Sequence, residues 1–192
     1  PADDPRRNRA GVYHAHTSGP AGKRVQVILL DTRYFRSPLK TSVINLARGS
    51  GPYEPDDDAG KTMLGAEQWT WLEEQLKVPA DLRLIVSSIQ LTVDGHSFER
   101  WGNFPRERQR FYDLIRTTGA GNVILLSGDR HFGALYKQTE GVPYPLYEIT
   151  SSGLTQVYPG VNETSPTRLG APYGAVNFGT IDIDWWAGNL TL

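Results

Sequence analysis

The chain has 192 residues, with 20 Lys plus Arg against 21 Asp plus Glu and a formal net charge of −1. That length suits one domain with a substantial core, and the charge balance leaves no broad basic surface for nucleic acid. There is no Cys, so disulfides, thiol nucleophiles and thiolate-held metals are excluded within the chain. No apolar run approaches the roughly 20 residues of a membrane span, and no secretory leader is recognisable. Pro1 at the start and the strand-like Asn189–Leu192 at the end predict a processed or truncated chain.

In chain order, residues 1–10 are charged and broken by proline, a solvated lead-in. Val12 to Thr17 alternates enough for a short strand. Lys23 to Leu30 begins with alternation and ends in a continuous apolar run, which predicts a strand buried on both faces. Residues 34–62 are polar and rich in Gly, Pro and Asp, a long functional or mobile loop. Ala66 to Leu76 predicts a helix with Trp69, Leu72 and Leu76 on its buried face. Leu82 to Val86 is a second buried strand, and a Gly/His/aromatic loop follows over Asp94 to Phe104. Pro105 suits the first turn of a second helix with Phe111, Leu114 and Ile115 as its stripe, closed at Gly119 to Gly121. Asn122 to Leu126 is the third buried strand. Ala134 to Gln138, Leu146 to Thr150 and Ala175 to Asp184 then read as strands without helices between them. The order predicts an α/β layered domain whose second part is largely antiparallel.

Each buried strand ends abruptly in polar residues: Asp31 and Arg33, Ser88 and Gln90, Asp129 and His131. In open α/β sheets ligands lie at the carboxyl ends of the strands, so three such ends predict one pocket. Within Ser127-Gly-Asp-Arg-His131, extended backbone would point Asp129 and His131 the same way, and Gly128 would permit a tight turn. A carboxylate with a neutral imidazole is a normal ligand pair for a hydrolytic metal centre, although Asp-x-His alone is more often a capped turn. Arg33 and Arg130 are candidates for an anionic oxygen. His14, His16 and the two helix tryptophans, Trp69 and Trp71, read as structural, and His96 as a loop residue with little claim to the site.

The stretches VILLDTRYFRSPL (27–39), LGAEQWTWLEEQL (64–76), ERWGNFPRERQRFYDLI (99–115), NVILLSGDRHFGALY (122–136) and YEITSSGLT (147–155) resemble the PhoD-like alkaline phosphatases. These are metal-dependent phosphoesterases of the calcineurin-like superfold. The resemblance implies a four-layer α/β/β/α sandwich with a two-metal centre, commonly iron and calcium, with manganese or zinc as alternatives. It implies a phosphate mono- or diester as substrate, and a secreted or periplasmic location. The family's closing Gly-Asp-x-His falls on Asp129 and His131, which would be metal ligands. Its Asp-x-Arg falls on Asp31 and Arg33, which would line the active site. The further ligands of the family's first half do not occur before Val12. The whole chain, 1–192, is therefore expected to be the C-terminal half of one such domain, completed by an N-terminal half. The competing readings are a non-catalytic, aromatic-rich module for carbohydrate or peptide, and an inactive structural remnant.

Overall fold

The computed structural model describes residues 3–192, so residues 1–2 of the lead-in lie outside the described residues. A seven-stranded mixed sheet is its frame. Four of its strands, β2 (Val25–Leu29), β5 (Leu82–Val86), β6 (Val123–Ser127) and β8 (Leu146–Ser151), run parallel as neighbours. Around them β1 (His14–Ser18) pairs antiparallel with β2, while β7 (Gly133–Gln138) lies between β8 and β9 (Arg168–Tyr173), antiparallel to both. The strand order is β1-β2-β5-β6-β8-β7-β9. Parallel neighbours need crossovers, and helices α2 (Gly65–Leu76) and α3 (Pro105–Thr118) supply those from β2 to β5 and from β5 to β6.

Both helices bury the faces that their periodicity predicts. Trp69, Leu72 and Leu76 are 2%, 0% and 1% exposed. In α3, Phe111 and Ile115 are buried, but Tyr112 takes the third place and Leu114 is only partly covered. Pro105 opens α3, and Gly119 closes it at φ 67°, a left-handed cap that glycine adopts without steric cost. The two helices pack on the sheet face that carries Ile28, Ile85 and Leu125. Across that contact Glu107 of α3 accepts from the Trp69 indole at 2.7 Å, the Met63 amide at 2.7 Å and the Thr62 hydroxyl at 2.8 Å.

Burial on both faces, expected for the three central strands, is complete only on the helix-covered face; on the other, Leu82 alone among their residues is buried. Burial alternates along β2 and β6: Ile28 and Leu125 are closed, whereas Val27, Ile124 and Leu126 are half-buried and Leu29 is 41% exposed. The described residues thus form one helical layer on one sheet. The second face is crossed in part by the C-terminal segment. Val86, Leu126 and Ile149 line one cleft with Phe178 and Ile181, and Leu82, Ile124 and Tyr147 line another with Ile183 and Leu190.

The strand expected over Ala175 to Asp184 is shorter. Only β10 (Asp182–Asp184) forms, paired with β11 (Asn189–Thr191). Upstream, the Asn177 side chain donates to the Ala175 carbonyl at 2.8 Å, a local bond that competes with a ladder, and accepts the Ser151 hydroxyl at 3.1 Å. The long 34–62 loop also contains order. A two-stranded ribbon of β3 (Lys40–Thr41) and β4 (Tyr53–Glu54) flanks α1 (Val43–Ala47), whose N-cap is Ser42.

Candidate active site

Because β2, β5, β6 and β8 are parallel, the segments that follow them leave the sheet along one edge. After β2 the chain turns at Asp31, which is 7% exposed. Its Oδ1 accepts the amides of Arg33 and Tyr34, each at 2.9 Å, and its Oδ2 accepts the Val12 amide at 2.9 Å. Burial pushes this carboxyl up, but those amides together outweigh it and hold the carboxyl below its ordinary value. Asp31 therefore shapes the turn that presents Arg33. Beside it the hydroxyls of Thr32 and Ser88 meet at 2.5 Å, tying the β2 and β5 exits together.

After β6 the chain does not run extended. Asp129 and His131 both take the left-handed region, at φ 72° and 59°, while Gly128 does not. The tight turn expected of the glycine is thus carried by its neighbours. For residues bearing a Cβ that conformation costs roughly 1 kcal/mol or more each. Compensation comes from Ser152 at the end of β8, whose Oγ accepts the amides of Arg130 at 3.1 Å and His131 at 2.9 Å. Asp129 and His131 are exposed and share a cleft of about 550 Å³ with Phe98, Glu99 and Tyr158.

Arg33 spans the two exits. Its Nη2 lies 3.7 Å from Asp129 Oδ1, and its Nη1 meets Glu99. Arg36 approaches the same Glu99 oxygen at 2.9 Å. Of the residues expected at the site, Asp129 and His131 therefore line one cleft, Arg33 reaches its wall through Glu99 and Asp129, and Asp31 shapes the turn that carries Arg33. Ser88 stands with Thr32 at the same edge. Gln90 turns inward, fully buried, and donates to Tyr136 and Thr150 at 3.0 Å each.

Arg130 also points inward. Its guanidinium lies 4.8 Å from the Phe98 ring centroid, and its Nε is 3.8 Å from Glu163 Oε2. Glu163, 6% exposed, accepts the Tyr136 hydroxyl at 2.7 Å; burial pushes its carboxyl up against the pull of Tyr136 and Arg130. His96, read from sequence as a loop residue, is buried beside this pair and bonded to Gln90 at 2.9 Å. Burial, helped by Arg130 and Arg100, pushes its imidazole down to about 2, so it is neutral. Nothing in the sequence singles out Arg36, Ser152 or Glu163. Glu99 stands at the head of ERWGNFP, and that conspicuous stretch is the one signal that points to it.

The profile of the PhoD-like phosphatases matches residues 3–176. The chain belongs to that family. Among curated relatives, alkaline phosphatase D of Bacillus subtilis (strain 168) is 27% identical over 115 residues, which cover 54% of this chain and 18% of that protein. The solved structure of PhoD aligns with a TM-score of 0.56 at 21% identity, over 73% of this chain and 28% of that one. A second, described as GAP50, the anchor in the inner membrane complex of Plasmodium, aligns with a TM-score of 0.51 at 11% identity, over 85% and 44%. At those identities the two structures speak for the fold alone. The chain thus spans about a fifth of its curated relative and under a third of the PhoD structure.

PhoD-like phosphatases are generally metal-dependent phosphoester hydrolases. In this chain Asp129 and His131 offer two donor side chains, and among the described residues no group of three or more His, Cys, Asp or Glu is placed to hold an ion. Such ions take about four to eight donors each, so these two side chains alone do not make a metal shell. Among the described residues no helix is long and apolar enough to cross a membrane.

Proposed function

We propose that this chain carries part of the active site of an enzyme that hydrolyses phosphate mono- or diesters. The observation that carries the reading is the 3.7 Å approach of Arg33 to Asp129, which brings a guanidinium from the β2 exit to the loop that bears His131. A guanidinium fork matches phosphoryl oxygens and neutralises charge that grows on them as the ester is attacked. Asp31 acts through the backbone and fixes Arg33 in place. Asp129 and His131 are the chain's metal donors in this reading, toward iron and calcium by family resemblance or toward manganese or zinc. When bound, such ions supply Lewis-acid charge and an activated water.

The remaining donors come from outside the chain. The half-buried apolar face of the sheet, with Val27, Ile124 and Leu126, supports a second sheet layer there, contributed by the N-terminal half of the domain. That layer would complete a four-layer sandwich of which residues 1–192 are the C-terminal half, joined to the rest as one polypeptide or as a cleaved pair. Export to the periplasm or the medium fits the family.

The test is hydrolysis of p-nitrophenyl phosphate and bis-p-nitrophenyl phosphate by the chain together with its N-terminal half, with metal content measured alongside. Asp129→Asn and His131→Ala are each expected to lower kcat/KM about 100-fold or more and to reduce bound metal. Wild-type turnover in both variants would overturn the assignment. Saturable carbohydrate or peptide binding that ignores chelator, with no turnover, would favour the non-catalytic module. Assembly with the N-terminal half without any turnover would favour an inactive remnant.

A further inference from the structure

Two guanidiniums share a single oxygen of Glu99, the carboxylate that lines the wall of the cleft. Glu99 Oε2 meets Arg33 Nη1 and lies 2.9 Å from Arg36 Nη1. That oxygen satisfies one fork and leaves the other short. Arg36 Nη1 is buried without a hydrogen-bond partner, so its contact with Glu99 has the distance of an ion pair but not the alignment of a bond. A buried donor without an acceptor is unfavourable, and a tetrahedral oxyanion has enough oxygens to serve both forks at once.

Glu99 also borders open space. Its backbone precedes the 3-10 turn Trp101–Asn103, anchored by the fully buried Trp101, while its own side chain is 20% exposed and lines the open cleft.

We propose that Arg33 and Arg36 form the seat for the phosphate group and that Glu99 occupies this seat in the free protein, a carboxylate gate that the incoming phosphate displaces. The proposal rests on the phosphoester reading above and adds to it a second arginine and a competitor for the substrate. A gate of this kind weakens binding of substrate and product alike, so it favours release of inorganic phosphate. In its absence the two guanidiniums would repel each other but hold an oxyanion more tightly.

Calorimetric titration of inorganic phosphate into the 192-residue chain, in a phosphate-free buffer at fixed ionic strength, tests this without any turnover. Glu99→Gln keeps the shape and removes the charge, and should tighten phosphate binding about five- to tenfold. Arg36→Ala should weaken it by a similar factor or abolish it. Glu73→Gln makes the same charge change on the exposed face of α2, where Glu73 pairs with Lys77, and should leave binding unchanged. Unchanged or weaker binding in Glu99→Gln would overturn the gate and make Glu99 a prop for the arginines. Equal tightening in Glu73→Gln, or no phosphate binding by any form, would overturn it as well. The two readings separate cleanly. Phosphate binding that follows the prediction while the assembled enzyme hydrolyses no ester sinks only the catalytic reading, and hydrolysis with a silent Glu99→Gln sinks only the gate.

Discussion

Replacing Asp31 by Asn tests whether the turn after β2 is held by a charge. In the native turn one carboxylate takes the amides of Arg33, Tyr34 and Val12, each at 2.9 Å. Asparagine keeps one oxygen, enough for the Arg33 and Tyr34 amides, but presents its own N–H groups toward the Val12 amide. Two charge-assisted bonds drop to neutral strength and the third becomes a clash of donors, a loss of about 3 kcal/mol. The pH dependence sharpens the test. The folded carboxyl lies below its ordinary value, so its contribution is fully present above the unfolded pKa of about 4 and is lost as pH falls through the lower folded value. Urea unfolding followed by tryptophan fluorescence should therefore show a constant gap between the two proteins from about pH 8 to 5. The gap should close in acid. A difference below about 1 kcal/mol at pH 7, or a gap that widens as the pH falls, would refute the argument.

Glu107→Ala strands three donors, the Trp69 indole, the Met63 amide and the Thr62 hydroxyl, at the contact between α2 and α3. A loss of about 3–5 kcal/mol in urea unfolding is expected, with phosphate affinity unchanged; a loss under about 1 kcal/mol would mean that water replaces the carboxylate. His96 is held neutral, down to about 2, chiefly by burial, so stability should decline as the pH falls below about 6.5, by up to about 1.4 kcal/mol per unit. His96→Gln should flatten that decline in pH-dependent unfolding curves, and equal slopes would show that the imidazole is already charged in the fold.

What the sequence made legible follows from the range of the forces involved. Helices α2 and α3 and the central strands announce themselves through period and apolar runs, because one continuous face must be buried. The alternation of strand and helix implied parallel neighbours, and from these came the shared edge that gathers Arg33, Asp129 and His131. The Arg33–Glu99 pair was not legible, since it joins residues 66 apart and depends on how the 34–62 loop folds back over the segment before Trp101. The backbone of Asp129 and His131 departs from the extended expectation for a different reason. Gly128 is the residue on which a tight turn is normally placed, whereas its neighbours take the left-handed region, held by amide bonds to Ser152, more than 20 residues on and just past β8. Glu163 lies in a stretch with no periodicity, and its partner Tyr136 reads as an ordinary strand aromatic.

The support beneath the Asp129–His131 loop bears on how the site is completed. Ser152 fixes the two amides from the end of β8, and Arg130 is drawn inward by Phe98 and by Glu163, which is itself bonded to Tyr136 of β7. All of these partners belong to this chain, and none lies on the half-buried face of the sheet where a second layer would dock. The strained backbone at Asp129 and His131 is therefore balanced by contacts that exist before any partner arrives. In the proposed enzyme the second layer brings further donors to a loop already shaped, and does not have to mould it. Preorganisation of that kind lowers the ordering cost at assembly and places the chemistry at the strand edge that the parallel order created.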